Sequence, residues 1–376
     1  MPALRDDIDP DGLLEFSVVF TDRSLNHMSA AFQGVMRDIS GLLREVYNAD
    51  GVALVPGGGT YAMEAVARQL AEDETVLVIR NGFFSYRWSQ IFEAARLPGE
   101  EIVMMARRTG NAPDAPFEPA PVDEVVARIR EARPGVVFAP HVETSSGMIL
   151  PDAYIRAVAE AVHEVGGVFV LDCIASGCVW VDMKDLGVDV LISAPQKGWS
   201  ASPSAGLVML SGAALARVKA RKSSSFAADL GKWLSIMEAY EAGGHAYHAT
   251  MPTDALRAFR DVMVETKEIG FARLAEAQWA QGRKVRALLA ARGIRSVAAE
   301  GFEAPGVVVS YTNDPAIQTG KAFAAEGAQI AAGVPLMVGE GDEFRSFRLG
   351  LFGLDKLQDV EASVARLEKA LDAALS

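Results

Sequence analysis

The amino-acid sequence predicts an α/β protein: a large domain on a mainly parallel sheet, followed by a smaller α/β domain at the carboxyl terminus. Three observations predict it. Between about residues 50 and 210, short apolar runs rich in β-branched residues (GVALV, TVLVIR, GVVFAP, GGVFVLD, DVLISA) alternate with stretches of helical periodicity, the pattern of parallel strands with helices on both faces. A long helical pattern over 260–292 then carries the chain away from that sheet. Beyond it, a strand (PGVVVSYT), a helix (GKAFAAEG), a strand (FRSFRLGLFG) and a closing helix (LDKLQDVEASVARLEKALDAAL) make a compact unit of their own.

A chain of 376 residues exceeds the usual single domain. The pattern divides it into an amino-terminal segment (1–45), a large domain (46–260), and a connector helix with the small domain (261–376). With 50% hydrophobic and 23% charged residues, the composition is that of a globular protein and excludes disorder. The net charge of -13, with no clustered Lys and Arg, argues against a nucleic-acid partner. The longest apolar runs fall far short of the roughly 18 residues that span a bilayer, and the amino terminus, MPALRDDIDPDG, is acidic without an apolar core. A cytoplasmic protein is expected. Cys173 and Cys178, five residues apart, form neither a CxxC pair nor a metal-ligand set and read as small buried hydrophobes. No metal is expected.

The first chemical signal is Pro56-Gly57-Gly58-Gly59-Thr60, between the strand GVALV and a helix in which Met63, Val66, Ala67 and Leu70 recur at helical spacing. Thr60 is the expected N-cap. Glycines let backbone approach a ligand, and exposed N–H groups at a helix start favour an anion such as phosphate; a purely structural turn has the same composition. Gly57, Gly59 and Ala62 also satisfy the G-x-G-x-x-A spacing of a dinucleotide turn. That alternative requires an acidic residue ending the next strand, which instead ends in Arg80-Asn81-Gly82. NAD is thereby disfavoured, while an NADP phosphate on Arg80 stays open.

The second signal is VLDCIASG followed by DVLISAPQKGW. It puts Asp172 at the end of one strand and Lys197 just past another, and ligands of open α/β sheets bind at such carboxyl ends. An amine, a carboxylate and an anion-binding turn are the three groups that pyridoxal 5′-phosphate (PLP) requires: a Schiff-base partner, a counter-ion for the pyridine nitrogen and a phosphate site.

At these residues the chain resembles fold-type I PLP enzymes, and among them the class V aminotransferases of the alanine–glyoxylate and serine–pyruvate kind. The resemblance runs from about residue 45 to the end through PGGGTYAMEA, IRNGFFSYR, HVETSSG, LDCIAS, SAPQKGW, AYHATMP and FRLGLFG, with Asp172 and Lys197 25 residues apart. It implies that Gly58, Gly59, Thr60 and Gln196 bind the phosphate, Phe84 stacks on the ring, Ile174 packs on its other face and Ser145 bonds the ring hydroxyl. Asp172 would hold the ring nitrogen and Lys197 the Schiff base. Tyr247 and Thr250 would reach the phosphate of the partner subunit's cofactor in a homodimer with shared sites. Arg348, its side chain opposite in direction to those of Phe347 and Leu349, would take the substrate carboxylate, with Arg345 the weaker candidate. His141 lines the pocket or is bonded internally.

The implied activity moves the amino group of a small amino acid to a 2-oxo acid, with glyoxylate or pyruvate preferred. A 2-aminoethylphosphonate-type transaminase is the main alternative. A cysteine desulfurase needs a reactive cysteine in the carboxyl-terminal half, and none follows Cys178. A non-catalytic PLP-binding module or a dehydrogenase fits less well, because both the lysine and the aspartate are present. The family commonly opens with a Gly- and Pro-rich stretch folded over the site; here that region reads FSVVFTDRSLNHMS, so Arg23, Asn26 and His27 stand where substrate contacts are expected.

Overall fold

The computed structural model describes residues 5–376. Seven apolar segments form strands: β1 (Gly51–Pro56), β2 (Thr75–Arg80), β3 (Glu100–Met105), β4 (Val136–Pro140), β5 (Val168–Asp172), β6 (Val190–Ser193) and β7 (Ala205–Leu210). They make one sheet in the order β1-β7-β6-β5-β4-β2-β3. β2 pairs in parallel with β3 and β4, β4 with β5, and β5 with β6, whereas β7 runs antiparallel to both β1 and β6. Every residue of β4, β5, β6 and β7 is buried, because helices cover both faces and leave no position for a polar residue facing water. The expected parallel sheet is therefore present, with one antiparallel strand that the unbroken AGLVML run does not reveal.

Helices α1 (Ala30–Tyr47), α2 (Gly59–Leu70), α3 (Phe83–Ala95), α4 (Val122–Ala132) and α5 (Asp152–Glu164) pack on this core. Ser29 caps α1 by accepting from Phe32 N. Between α3 and the sheet, Trp88 stands 4.3 Å from Phe138, centroid to centroid, and Phe92 5.4 Å from it. The small domain is a three-stranded antiparallel sheet of β8 (Val307–Tyr311), β9 (Ala331–Ala332) and β10 (Ser346–Gly350), ordered β8-β10-β9. Its core gathers Val308, Phe323, Phe347, Leu349 and Leu371.

Two expectations are corrected. The connector is two helices, Thr253–Ile269 and Phe271–Ala291, jointed at Gly270, whose φ of 104° suits glycine alone. A domain boundary after residue 260 consequently falls inside the first of them. The closing helix is likewise interrupted, into Leu354–Leu357 and Val360–Ala374, the second capped by Asp359, which accepts from Ala362 N.

Candidate active site

The carboxyl ends of β1, β4, β5 and β6 open onto a cavity of about 400 Å³, closed on its far side by the small domain. Sheet topology sets this location: parallel strands end together, and the loops leaving them converge. From the large domain come Gly59, Thr60, Met63, Phe84, Arg87, Thr144, Asp172, Ile174, Gln196 and Lys197; from the small domain, Val307, Ala331, Arg348, Gly350 and Phe352.

Asp172 is the last residue of β5, registered against Pro140 on one side and Ile192 on the other. Its carboxylate accepts one hydrogen bond, from Ile174 N at 2.9 Å, and has no salt-bridge partner among the described residues. Burial therefore pushes its carboxyl up to about 7, with the nearby Glu143 adding to the rise and Arg87 opposing it. A buried carboxylate in this state calls for a cation. Lys197 lies past β6 on the same rim, its Nζ 5.6 Å from the centroid of the Phe352 ring. Burial, and then the charge of Arg348, lower its ammonium pKa, which favours the neutral amine that attacks an aldehyde.

The glycine turn holds close packing where it was expected. Helix α2 starts at Gly59 with Gly58 as N-cap, so the expected capping role passes from Thr60 to glycine. A β-carbon on Gly59 would lie 2.4 Å from Ile174 Cδ1, so a side chain there would displace the residue expected beneath the ring. Thr60, in the first turn, accepts from Arg87 Nη1 at 3.0 Å. The side-chain oxygen of Gln196 is buried without a partner.

Opposite this cradle, Arg348 leaves β10 toward the cavity, while Phe347 and Leu349 point into the small-domain core. Its Nε donates to Ala332 O at 2.8 Å, which fixes the fork and leaves the two terminal nitrogens to face a ligand. The guanidinium carbon lies 5.6 Å from the centroid of Phe84. An amine, an uncompensated carboxylate, an aromatic ring and a polar helix start thus share one cavity, and these groups fit PLP.

A model of the family described as aminotransferase class-V matches residues 15–333. The chain belongs to that family. It is a transaminase, and PLP is its cofactor. It is 28% identical to the 2-aminoethylphosphonate–pyruvate transaminase of Syntrophobacter fumaroxidans over 85% of this chain and 82% of that one. To the alanine–glyoxylate aminotransferase of Rattus norvegicus it is 27% identical over 71% of this chain and 62% of that one. Among solved structures, an alanine–glyoxylate aminotransferase from Nostoc sp. superposes with a TM-score of 0.78 at 23% identity, covering 94% of this chain and 89% of that one. A subgroup IV aspartate aminotransferase from Thermus thermophilus gives 0.73 at 27%, covering 93% of each. The first of these shares the fold.

Not every expected residue reaches the cavity. Ser145 is fully buried behind the wall; its Oγ accepts from Phe83 N at 2.8 Å and donates to Glu143 at 2.7 Å. The hydroxyl on the cavity side is that of Thr144. The one-residue difference comes from the tight turn 143–147, where Gly147 N donates to Glu143 O. His141 is bonded internally, Nδ1 to Ser176 Oγ at 2.8 Å, and burial brings it down to about 4, so it stays neutral.

Arg80 is buried, donating to Ser89 Oγ at 2.7 Å and lying 4.7 Å over the Tyr86 ring, and does not line the cavity. Arg345 lies outside the cavity. Tyr247 and Thr250 are exposed, their hydroxyls 3.3 Å apart, and also outside it. No described residue of 5–45 lines it either. That segment is tied instead to the helix Thr253–Ile269: Leu25 N donates to Asp254 Oδ1, Thr253 Oγ1 to Leu25 O, and Arg257 Nη1 to Ile8 O.

Two residues that the sequence did not flag organise the site. Glu143, fully buried, accepts from Phe84 N at 3.1 Å, Ser85 N at 2.8 Å, Ser85 Oγ at 2.7 Å, Ser145 N at 3.0 Å and Ser145 Oγ at 2.7 Å. It thereby ties the first turn of α3, which carries Phe84, to the turn that carries Thr144. Arg87 is the other, one helical turn beyond the ring of Phe84. An arginine at i+3 from a stacking aromatic in IRNGFFSYR was the available signal for it.

Proposed function

We propose that this enzyme transfers the amino group of a small amino acid bearing one free carboxylate to glyoxylate or pyruvate. The observation that carries this is Arg348: its Nε is bound to Ala332 O, its fork faces the Lys197 side of the cavity, and its neighbours on the wall, Val307 and Phe352, are apolar. A planar fork with two free nitrogens suits a carboxylate, and apolar neighbours suit a short, uncharged side chain.

When bound, PLP supplies an electron sink for the pair left behind at the substrate α-carbon. Lys197 would hold it covalently, and the same Nζ would move a proton at the substrate α-carbon. Asp172 would keep the ring nitrogen protonated. Gly58, Gly59, Thr60 and Gln196 would receive the phosphate, Phe84 and Ile174 would hold the ring, and Thr144, in place of Ser145, would meet the ring hydroxyl. Arg348 orients the donor and then the acceptor through their carboxylates.

Replacing Arg348 with leucine is expected to lower kcat/KM for the amino acid about 100-fold, mainly through KM, because charged hydrogen bonds are lost. The visible band of the bound cofactor should stay unchanged. A second reading is favoured by the relatives in Syntrophobacter fumaroxidans and Pseudomonas fluorescens, both named 2-aminoethylphosphonate–pyruvate transaminases and matched over more than four-fifths of their length: the same fork would hold a phosphonate. Adding alanine, serine, aspartate and 2-aminoethylphosphonate separately, without an acceptor, and following loss of the visible band decides between them. Conversion by 2-aminoethylphosphonate alone overturns the first reading.

We also infer a cytoplasmic homodimer with shared sites. Leu13, Phe16 and Val18 expose 86%, 85% and 102% of their surface, and Tyr247, 5.5 Å from the His27 ring, shares this side of the molecule with their segment. Large apolar side chains in this state suit burial against a second copy, in which Tyr247 and Thr250 would complete the partner's phosphate site. Two free cysteines suit a reducing compartment. Phe16→Asp is expected to shift the species seen by sedimentation from dimer to monomer; a wild-type protein that sediments as a monomer overturns the dimer.

A further inference from the structure

We propose that Arg87 is a phosphate-binding residue of this site, supplying the positive charge that the glycine cradle lacks; this rests on the reading that the cradle receives the cofactor phosphate. Three of the side chains lining the cavity are cations: Arg87, Lys197 and Arg348. Lys197 is committed to the cofactor aldehyde, and Arg348 sits on the small-domain wall with its Nε bound to Ala332 O. The cradle itself, made of Gly58, Gly59, Thr60 and Gln196, offers only dipoles to a group carrying close to two negative charges.

Arg87 stands at that cradle. Its Nη1 donates to Thr60 Oγ1 at 3.0 Å, and its guanidinium carbon lies 5.1 Å from the centroid of Phe84, so one side chain touches both the ring-stacking residue and the helix start. The bond also sets the direction of a proton. A hydroxyl has one donor and two acceptor positions; with Arg87 on one lone pair, the Thr60 proton is turned away from the guanidinium and is available to an anion. Arg87 has no carboxylate partner within salt-bridge distance among the described residues, although Arg44, Arg68, Arg107, Arg130 and many others do. Its remaining N–H groups are thus free for phosphate oxygens.

The test compares two ligands that differ only in the phosphate. Cofactor-free wild type, Arg87→Gln and Arg87→Lys are titrated with PLP and with pyridoxal, and binding is followed by the visible band. The expected result for Arg87→Gln is a Kd for PLP raised about 10- to 100-fold, the loss typical of a hydrogen bond to a charged group, with the Kd for pyridoxal unchanged; Arg87→Lys should recover part of the difference. Inorganic phosphate is expected to compete with PLP in the wild type and to compete less well in Arg87→Gln. Equal losses for both ligands would make Arg87 a packing residue and overturn the inference. So would an unchanged Kd for PLP with a raised KM for a dianionic amino donor, which would assign Arg87 to substrate. Failure of the wild type to bind PLP at all would instead remove the cofactor reading on which this rests.

Discussion

Replacing Lys197 with alanine is expected to abolish the visible absorbance of the bound cofactor and to cut turnover by at least about 1000-fold, since proton transfer by one positioned group alone contributes roughly 100- to 10,000-fold. Two losses coincide in this variant because, in the proposed mechanism, one nitrogen has two tasks. Lys197 is the amine on the cavity rim, held there by the loop that leaves β6, and its burial together with the charge of Arg348 lowers its ammonium pKa. The amine needed for covalent attachment is thus more available near neutral pH than on a solvated lysine. Proton transfer at the substrate α-carbon would need the same nitrogen still in place. The variant should still bind PLP without the covalent bond, through Asp172, the cradle and Phe84, so ultrafiltration should recover bound cofactor that lacks the visible band. Small primary amines added to the solution should restore part of the turnover, because they supply the missing base without its tether. A variant that retains both the visible band and turnover would take Lys197 out of the mechanism.

The sheet and part of the cavity wall were legible in the sequence, Gly59, Thr60, Phe84, Asp172, Ile174, Gln196, Lys197 and Arg348 among the residues that line it. A strand buried on both faces must be apolar throughout, so a charged residue at its very end, as Asp172 ends VFVLD, stands out. The same applies to Lys197 after VLIS, whereas Arg348 stands out by alternation, its side chain opposite in direction to those of Phe347 and Leu349. The residues that were missed depend on relations between segments. Glu143 looks like any polar residue of HVETSSG until the start of α3 is laid against it, and Arg87 looks like the solvated face of a helix until Thr60 is 3.0 Å away. Whether Thr144 or Ser145 faces the cavity depends on a turn between two-residue strands, Val142–Glu143 and Met148–Ile149, whose register no periodicity records. The antiparallel direction of β7 is hidden similarly, since a fully buried strand reads alike in both directions. The break at Gly270 lies inside an unbroken helical pattern, where the glycine was the signal available.

Replacing Asp172 with asparagine is expected to reduce kcat by about 100- to 1000-fold, the loss typical of removing one preorganised charge, while making the cofactor-free protein more stable above neutral pH. The second effect follows from the raised carboxyl. The folded value is about 7, against roughly 3.9 for an unfolded aspartate. Between these pH values the folded cofactor-free protein binds more protons than the unfolded chain, so this group makes stability fall as pH rises from about 4 to about 7, and its penalty is at full size above that interval. Asparagine carries no charge to desolvate and keeps an oxygen to accept from Ile174 N. Denaturant unfolding of the two cofactor-free proteins at pH 5 and pH 8 should therefore show a gap in favour of Asp172→Asn that is larger at pH 8. Saturating PLP should reverse the order, because the protonated ring nitrogen compensates a carboxylate and does nothing comparable for an amide. A site that destabilises its own empty state is one kept for its ligand. A cofactor-free Asp172→Asn protein less stable than wild type at pH 8, with turnover intact, would mean that the carboxylate is satisfied within the fold and that the ring nitrogen has its partner elsewhere.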